Sequence, residues 1–239
     1  MDVVNYLLGY DNVKIYQNSS MFNFSLDSIL LANFVKVNKK SKRILDIGCG
    51  NGVMPLILAT KYDCKIDAIE IQEEACILAK KSVEINNLND KINIINEDIK
   101  LYTDTCESDT YDIIVCNPPY FKVNEVSKKN DSKYKIIARH EVNLNVEDVI
   151  KVSKKLLKNN GNLAIVHRPE RLIEIICLMK ENNIEPKKIQ FVYPKKNKES
   201  NILLIEGCKN GNPGIKILPP IFAHAEDGEY TQEIKKYFS

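Results

Sequence analysis

The segment "YDIIVCNPPY" (residues 111–120) places an amide, two prolines and an aromatic ring directly after a short apolar run. The side-chain oxygen of Asn117 and the backbone carbonyl of Pro118 are hydrogen-bond acceptors, and the prolines have no N–H groups to compete for them. Two such acceptors can orient the hydrogens of an exocyclic amine and stabilise positive charge developing on its nitrogen. Pro119 stiffens the turn, and Tyr120 offers a surface on which a base can stack. These residues predict methylation of an amine whose lone pair is otherwise delocalised into a ring.

The same residues are also typical of an ordinary turn that ends a strand, because Asn-Pro is common turn chemistry. Their position favours the chemical interpretation, since they end the fourth predicted strand, 67 residues after Gly50.

A glycine-rich turn, "ILDIGCGNG", follows an earlier predicted strand. Glycines let the backbone approach a ligand closely, and the N–H groups of the following helix can point at it. A dinucleotide-binding turn would need glycine where the sequence has Val53, and no G-K-[ST] sequence follows for a phosphate loop. A pyrophosphate ligand is therefore disfavoured, and the candidate ligand-binding residues are Asp46, Gly48, Gly50 and Gly52.

Acidic residues end the next two predicted strands. Glu70 can accept hydrogen bonds from both hydroxyls of a ribose. Asp98 can accept one from an exocyclic adenine amine, while the backbone of Ile99 meets a ring nitrogen. Taken singly, either carboxylate is also explained as a loop residue or a helix cap. Ligands of open parallel sheets bind at the carboxyl ends of the strands, which favours one shared site.

Short apolar runs alternate with helical patterns from residue 43 onward, which predicts a parallel sheet with helices on both faces. The last two runs, "KKIQFVYP" and "ESNILLIEGC", are joined too closely for a parallel crossover, so this pair is expected to be antiparallel. We predict a single domain over residues 1–239, with a helical N-terminal extension (1–43), an α/β core (44–208) and a C-terminal tail (209–239).

The composition is that of a globular protein, with 44% hydrophobic and 28% charged residues. The sequence has no secretory signal pattern and no apolar run long enough to cross a membrane. Its seven cysteines include no CxxC pair, so neither a disulfide framework nor a metal site is expected, and a cytoplasmic location is predicted. Residues 44–121 carry 6 basic against 14 acidic residues, and residues 122–216 carry 20 against 11. This asymmetry suggests a polyanionic partner, although a solvated lysine-rich surface explains it as well.

The motifs "LDIGCGNG", "IDAIEI", "NEDI" and "CNPPY" resemble, in this order and spacing, the class I S-adenosylmethionine-dependent methyltransferases. The resemblance implies a Rossmann-like seven-stranded sheet, mostly parallel with an antiparallel final strand. It also implies S-adenosylmethionine as cofactor and S-adenosylhomocysteine as product. The methionine part would lie by Asp46 and the glycines, the ribose on Glu70, and the adenine by Asp98 and Ile99. Ile71 and Asn117 would be further cofactor-binding residues. "FNFSLDSILLANF" matches the preceding helix of such enzymes, with Phe24 and Asp27 near the methionine, although a capped helix explains this stretch equally well.

"ARHE", "HRPERL" and the tail "GNPGIKILPPIFAHAEDGEYTQEI" are similar to the bacterial tRNA1(Val) (adenine37-N6)-methyltransferase family. The resemblance spans nearly the whole chain and implies a tRNA substrate methylated at N6 of the adenine beside the anticodon. Chemistry supports an adenine in the anticodon loop, because turning an unpaired base into a pocket costs less free energy than extruding one from a duplex. Arg139 and His140, then Arg168 and Arg171, are the candidate RNA-binding residues. The lysine-rich stretch Lys122–Ala138 is predicted to be a mobile loop.

Other enzymes that methylate amino groups remain possible. Protein-glutamine methyltransferases share NPPY but carry a helical domain before the glycine turn, where this chain has only 43 residues before Ile44. DNA adenine methyltransferases add a recognition domain for which no segment is long enough. Guanine-N2 methyltransferases of ribosomal RNA stay open, as does a non-catalytic RNA-binding or cofactor-sensing protein.

Overall fold

The computed structural model describes residues 2–7, 10–18, 26–119 and 144–237. The strands in this part of the chain are β1 (Asp2–Leu7), β2 (Tyr10–Asn18), β3 (Arg43–Ile47), β4 (Lys65–Glu70), β5 (Ile92–Asn96), β6 (Tyr111–Cys116), β7 (Leu157–His167), β8 (Ile184–Tyr193), β9 (Ile202–Lys209), β10 (Lys216–Ile217) and β11 (Ile221–Phe222). The α-helices are α1 (Leu26–Phe34), α2 (Val53–Lys61), α3 (Glu73–Ile85), α4 (Ile99–Thr105), α5 (Val146–Leu156), α6 (Leu172–Glu181) and α7 (Gln232–Lys236).

Strands β3 to β9 form the central sheet in the order β8-β9-β7-β6-β3-β4-β5. The neighbours from β7 to β5 are parallel, whereas β9 is antiparallel to β7 and β8. This arrangement confirms the predicted sheet of seven strands, including its antiparallel final strand. Two short strands that the sequence analysis missed, β10 and β11, pair in parallel with β8.

Helices cover both faces of the sheet, as predicted. On one face, which we call the α1 face, residues of β4 such as Ile66 and Ala68 share an apolar cluster with α1, α2 and α3. On the other face, Ile69 belongs to a second cluster with residues of α4, α5 and α6. Since successive side chains of a strand point to opposite faces, helices on both sides explain why β3 and β4 are buried at every position after the first.

The N-terminal extension is not helical throughout, so that part of the prediction was wrong. Residues 2–18 contain the antiparallel pair β1 and β2, and α1 is the helix before the core. The alternation of buried Val13 and Ile15 with more exposed neighbours has the period of a strand. Strand β2 is also bonded to α3, since the backbone N–H of Tyr16 on β2 donates to Ser82 Oγ on α3 at 2.9 Å. The division into extension, core and tail otherwise stays a prediction.

Within the described ranges, every helix is too short or too polar to cross a bilayer.

Candidate active site

The predicted cofactor-binding residues that the structure describes meet at the carboxyl edge of the sheet. Because β5, β4, β3 and β6 are parallel neighbours, their ends lie side by side, and Glu70 pairs in register with Asn96. Asp46 and Glu70 also share a face of the sheet. Asp46 pairs with Ala68 of the α1 face, and Glu70 is two residues further along the same strand.

The glycine turn after β3 has a backbone that other residues adopt only with strain. Gly48, Gly50 and Gly52 have φ angles of +71°, +56° and +91°. The N–H groups of Gly48 and Cys49 donate to the carbonyl of Ile69 on β4, at 2.9 and 3.0 Å. A Cβ atom added at Gly48 or Gly50 would meet no atom within 4 Å, so the space in front of the turn is open. The turn is thus a fixed loop facing room for a ligand.

Asp46 is the least satisfied acidic residue of this edge. Its side chain is fully buried, and neither carboxylate oxygen has a hydrogen-bond partner among the described residues. Burial, and secondly the nearby Glu70 carboxylate, raise the pKa of Asp46 well above its ordinary value. A buried carboxylate without a partner is costly, and a cationic or hydrogen-bond-donating ligand relieves that cost. The ammonium and sulfonium groups of S-adenosylmethionine fit this requirement.

Glu70 holds the two loops that surround the predicted ribose site. Its buried carboxylate accepts from the backbone N–H of Gly50 and from that of Gln72, both at 2.9 Å. Each carboxylate oxygen has more than one lone pair, so these bonds leave Glu70 able to accept from ribose hydroxyls. Ile71 follows with 44% of its surface exposed and offers an apolar face for a base. Asn96, which was not predicted from the sequence, donates from its side-chain amide to the carbonyl oxygen of Glu70 at 2.8 Å.

Asp98 is the N-cap of α4, which is the alternative that the sequence analysis had kept open. Its Oδ1 accepts from the backbone N–H of Lys100 at 2.8 Å. Ile99 is the first residue of α4, and its N–H is one of those that a helix leaves without an intrahelical partner. Both therefore lie at the edge where the adenine is expected.

Asn117 follows the last residue of β6 and is bonded to the first turn of α1. Its Nδ2 donates to Ser28 Oγ at 3.0 Å. This contact brings α1, with Asp27 beside Ser28, to the same edge as the glycine turn. Pro118 is buried and Pro119 is partly buried. Phe24 and Tyr120 lie outside the described residues.

Two of the four RNA-binding candidates are described, and both have partners within the fold. Arg168 donates from Nη1 to the carbonyl of Asn201 at 2.8 Å, and Arg171 forms an ion pair with Glu174 in which Nη2 and Oε1 are 2.6 Å apart. Arg139, His140 and the loop Lys122–Ala138 lie outside the described residues.

His167, which precedes Arg168, was not singled out from the sequence, although "HRPERL" contains it. It is buried at the end of β7, next to β6 in the sheet, and its Nδ1 accepts from Arg168 N at 2.8 Å. Burial lowers its pKa to about 4, so the ring is neutral at neutral pH.

Residues 13–183 match the family model described as "Methyltransferase small domain". A curated relative from Trichodesmium erythraeum, named tRNA1(Val) (adenine(37)-N6)-methyltransferase, is 35% identical over 165 residues, covering 68% of this chain and 67% of the relative. A relative of the same name from Bacteroides fragilis is 27% identical over 235 residues, covering 96% of each chain.

The solved structure of a predicted O-methyltransferase from Agrobacterium tumefaciens has a TM-score of 0.70 at 18% identity, covering 89% of this chain and 95% of that one. It supports the Rossmann-like methyltransferase fold. Structures with this fold include complexes with S-adenosylmethionine and with S-adenosylhomocysteine.

Proposed function

We propose that this chain, which belongs to the methyltransferase small domain family and to the tRNA1(Val) (adenine(37)-N6)-methyltransferases, methylates N6 of adenine 37 in a valine tRNA. It is an S-adenosylmethionine-dependent methyltransferase. The observation that carries the proposal is the anchored amide of Asn117 at the same sheet edge as the unsatisfied carboxylate of Asp46.

The cofactor, when bound, supplies an electrophilic methyl group on a positively charged sulfur. Asp46 provides the negative charge that a cationic ligand requires in a buried site. Glu70 accepts from the ribose hydroxyls and keeps the glycine turn in place through Gly50. Asp98 and the N–H of Ile99 hold the adenine, and Ile71 packs against its face.

The target nitrogen is activated by hydrogen-bond acceptors that are fixed before the substrate arrives. Asn117 Oδ1 and the carbonyl of Pro118 accept from the two N6 hydrogens, which favours a tetrahedral nitrogen with its lone pair directed at the methyl group. As the nitrogen–carbon bond formed and the carbon–sulfur bond broke to leave S-adenosylhomocysteine, positive charge would develop on N6, and both oxygens would stabilise it until one proton left to solvent. Tyr120 stacks on the base.

Recognition of the tRNA is assigned to the four candidate RNA-binding residues. Arg139 and His140 contact phosphates beside the target base, and Arg168 and Arg171 contribute where their existing partners leave donor atoms exposed. We also propose a cytoplasmic location, which the tRNA substrate supports.

The test is incubation of the purified protein with methyl-labelled S-adenosylmethionine and a tRNA1(Val) transcript, followed by digestion to nucleosides. Label is expected in N6-methyladenosine, and a transcript with guanine in place of adenine 37 should accept none. Asn117→Ala should slow transfer by about 10²–10³-fold, the range for loss of one preorganised group. Asn159→Ala, which removes an exposed amide bonded to Asn210, is the matched control and should leave the rate unchanged.

Other distributions of label would contradict the assignment. When ribosomal RNA, cell protein or DNA is offered as acceptor in place of the transcript, label in N2-methylguanosine, in protein or in DNA would identify one of the other enzyme classes. Cofactor binding without transfer to any of these acceptors would indicate a sensor.

A further inference from the structure

Ser28 contacts the proposed catalytic amide from a distant part of the sequence. Its Oγ lies 3.0 Å from Asn117 Nδ2, although 89 positions separate the two residues. Ser28 stands in the first turn of α1, whereas Asn117 follows the end of β6. The bond thus joins the helix that precedes the core to the turn where the chemistry is expected.

The helix that carries Ser28 is firmly held. Five of its nine residues are buried in the apolar cluster of the α1 face: Ile29, Leu30, Leu31, Ala32 and Phe34. Further along the helix, the side chain of Asn33 is bonded to the carbonyl of Ile29 at 2.8 Å. The backbone of such a helix has little freedom to move, so Ser28 Oγ stays within hydrogen-bonding distance of the Asn117 amide.

The direction of the Asn117 amide matters because a side-chain amide has chemically different ends. With Nδ2 held by Ser28, Oδ1 points away from the serine as an acceptor. An amide rotated by half a turn would offer two N–H donors to an amine that is itself a donor, and the two groups would repel each other.

We propose that Ser28 is a positioning residue that holds Asn117 with its oxygen toward the amine of the substrate. This role rests on the proposed function of Asn117. Ser28 acts through Asn117, so its loss should lower kcat and leave the affinity for S-adenosylmethionine and the stability of the fold nearly unchanged.

The first experiment compares four single variants in single-turnover methyl transfer at saturating cofactor and tRNA. Ser28→Ala should lower the rate about tenfold, the scale of one neutral hydrogen bond. Ser28→Thr keeps the hydroxyl and should restore most of the rate. Ser28→Cys, whose thiol is a weaker acceptor of similar size, should fall between them. Ser153→Ala is the matched control, because it removes a buried hydroxyl from α5 that has no partner among the described residues.

Two results of this comparison would overturn the proposal. One is a Ser28→Ala enzyme with the parent rate. The other is a Ser28→Thr or Ser28→Cys enzyme that is folded, by thermal unfolding, and yet as slow as Ser28→Ala. A parallel loss of cofactor affinity in all three variants would assign Ser28 to the cofactor site instead.

A double-mutant cycle separates this proposal from the one on which it rests. If Ser28 acts through Asn117, adding Ser28→Ala to Asn117→Ala should have no further effect on the rate. Full additivity would overturn the positioning role while leaving Asn117 catalytic. An Asn117→Ala enzyme with the parent rate would remove the catalytic role of Asn117, and the positioning role with it.

Discussion

Two buried aspartates lie on neighbouring strands, one step apart in register, and differ completely in hydrogen bonding. Asp46 on β3 pairs with Ala68 on β4, and Asp67 directly precedes Ala68, so the two carboxylates point to opposite faces of the sheet. Asp67 accepts from Arg43 Nε at 3.0 Å, from the hydroxyl of Tyr111 at 2.9 Å and from Asn93 Nδ2 at 3.1 Å. Asp46 accepts from none of the described residues.

The difference shows where the fold is complete by itself and where it is built for a ligand. Buried polar groups that serve only the fold are nearly always paired, so an unpaired carboxylate needs an explanation. Cavity size does not give the same information. A cavity of about 600 Å³ lies at the amino edge, beside Arg43 and Asp67, where the buried carboxylate already has its partners.

Among the effects that test this contrast between the two aspartates, the largest is expected from neutralising the unpaired carboxylate. Asp46→Asn keeps the shape of the side chain and removes its charge, so S-adenosylmethionine should bind about 100-fold more weakly, as expected for a lost charged hydrogen bond. Stability should be retained or raised, since the fold no longer holds a buried carboxylate whose pKa is raised above its ordinary value. Isothermal calorimetry and urea denaturation measure the two quantities. Parent-like affinity would show that Asp46 has no part in binding the cofactor.

Asp67→Asn should give the opposite pattern and serves as the matched control. The variant weakens the bonds to Arg43 and Tyr111, and we expect a loss of about 2–3 kcal/mol in the free energy of unfolding. Affinity for S-adenosylmethionine should not change, because Asp67 faces away from the α1 face. If it falls as far as in Asp46→Asn, the contrast between the two residues is wrong.

A smaller effect is expected from pH, through the raised pKa of Asp46. Since a cationic ligand favours the ionised carboxylate, binding should release a proton, and affinity should fall as pH is lowered through the raised pKa, by up to about tenfold per unit. The stability of the ligand-free protein depends on pH in the opposite sense. The folded protein without ligand holds this proton more tightly than the unfolded chain, so the contribution of Asp46 is present at low pH and lost as pH rises. Calorimetry in buffers of different ionisation enthalpy counts the released proton, and Asp46→Asn should release none.

The parts of the molecule that could be predicted from sequence are those whose signal is local. The alternation of apolar runs and helical patterns gives the seven strands, and the glycine turn and the strand-end acids identify the edge where they meet. The hairpin before α1 was missed because "VVNYLL" followed by glycine fits either a helix or a strand until Val13 and Ile15 are placed against α3. Asp98 shows the limit for single residues, since one strand-end carboxylate can serve as ligand or helix cap.

Contacts between distant positions could not be predicted in the same way. Ser28 and Asn117 are joined only after α1 packs on the sheet, and Asn96 reaches Glu70 only after β5 pairs with β4. His167 was passed over because its burial at the end of β7 is a property of the assembled sheet. These residues have ordinary sequence contexts, and their roles come from the three-dimensional neighbours alone.

The smallest expected effect is a loss of stability at alkaline pH, through the two tyrosines linked to the carboxylate of Asp67. Tyr111 donates to Asp67, and its own hydroxyl is 2.5 Å from that of Tyr102. Burial raises the pKa of Tyr102 to about 12 and also raises that of Tyr111. The unfolded chain therefore ionises first, so the contribution of this pair is intact below about pH 10 and is lost as pH rises through 12. The urea concentration at the midpoint of unfolding should differ less between about pH 9 and about pH 11 in Tyr102→Phe than in the parent. The reason is that one of the two tyrosines with a raised pKa is gone. An unchanged difference would mean that the alkaline sensitivity arises elsewhere, and that the network around Asp67 is less tightly closed than its hydrogen bonds indicate.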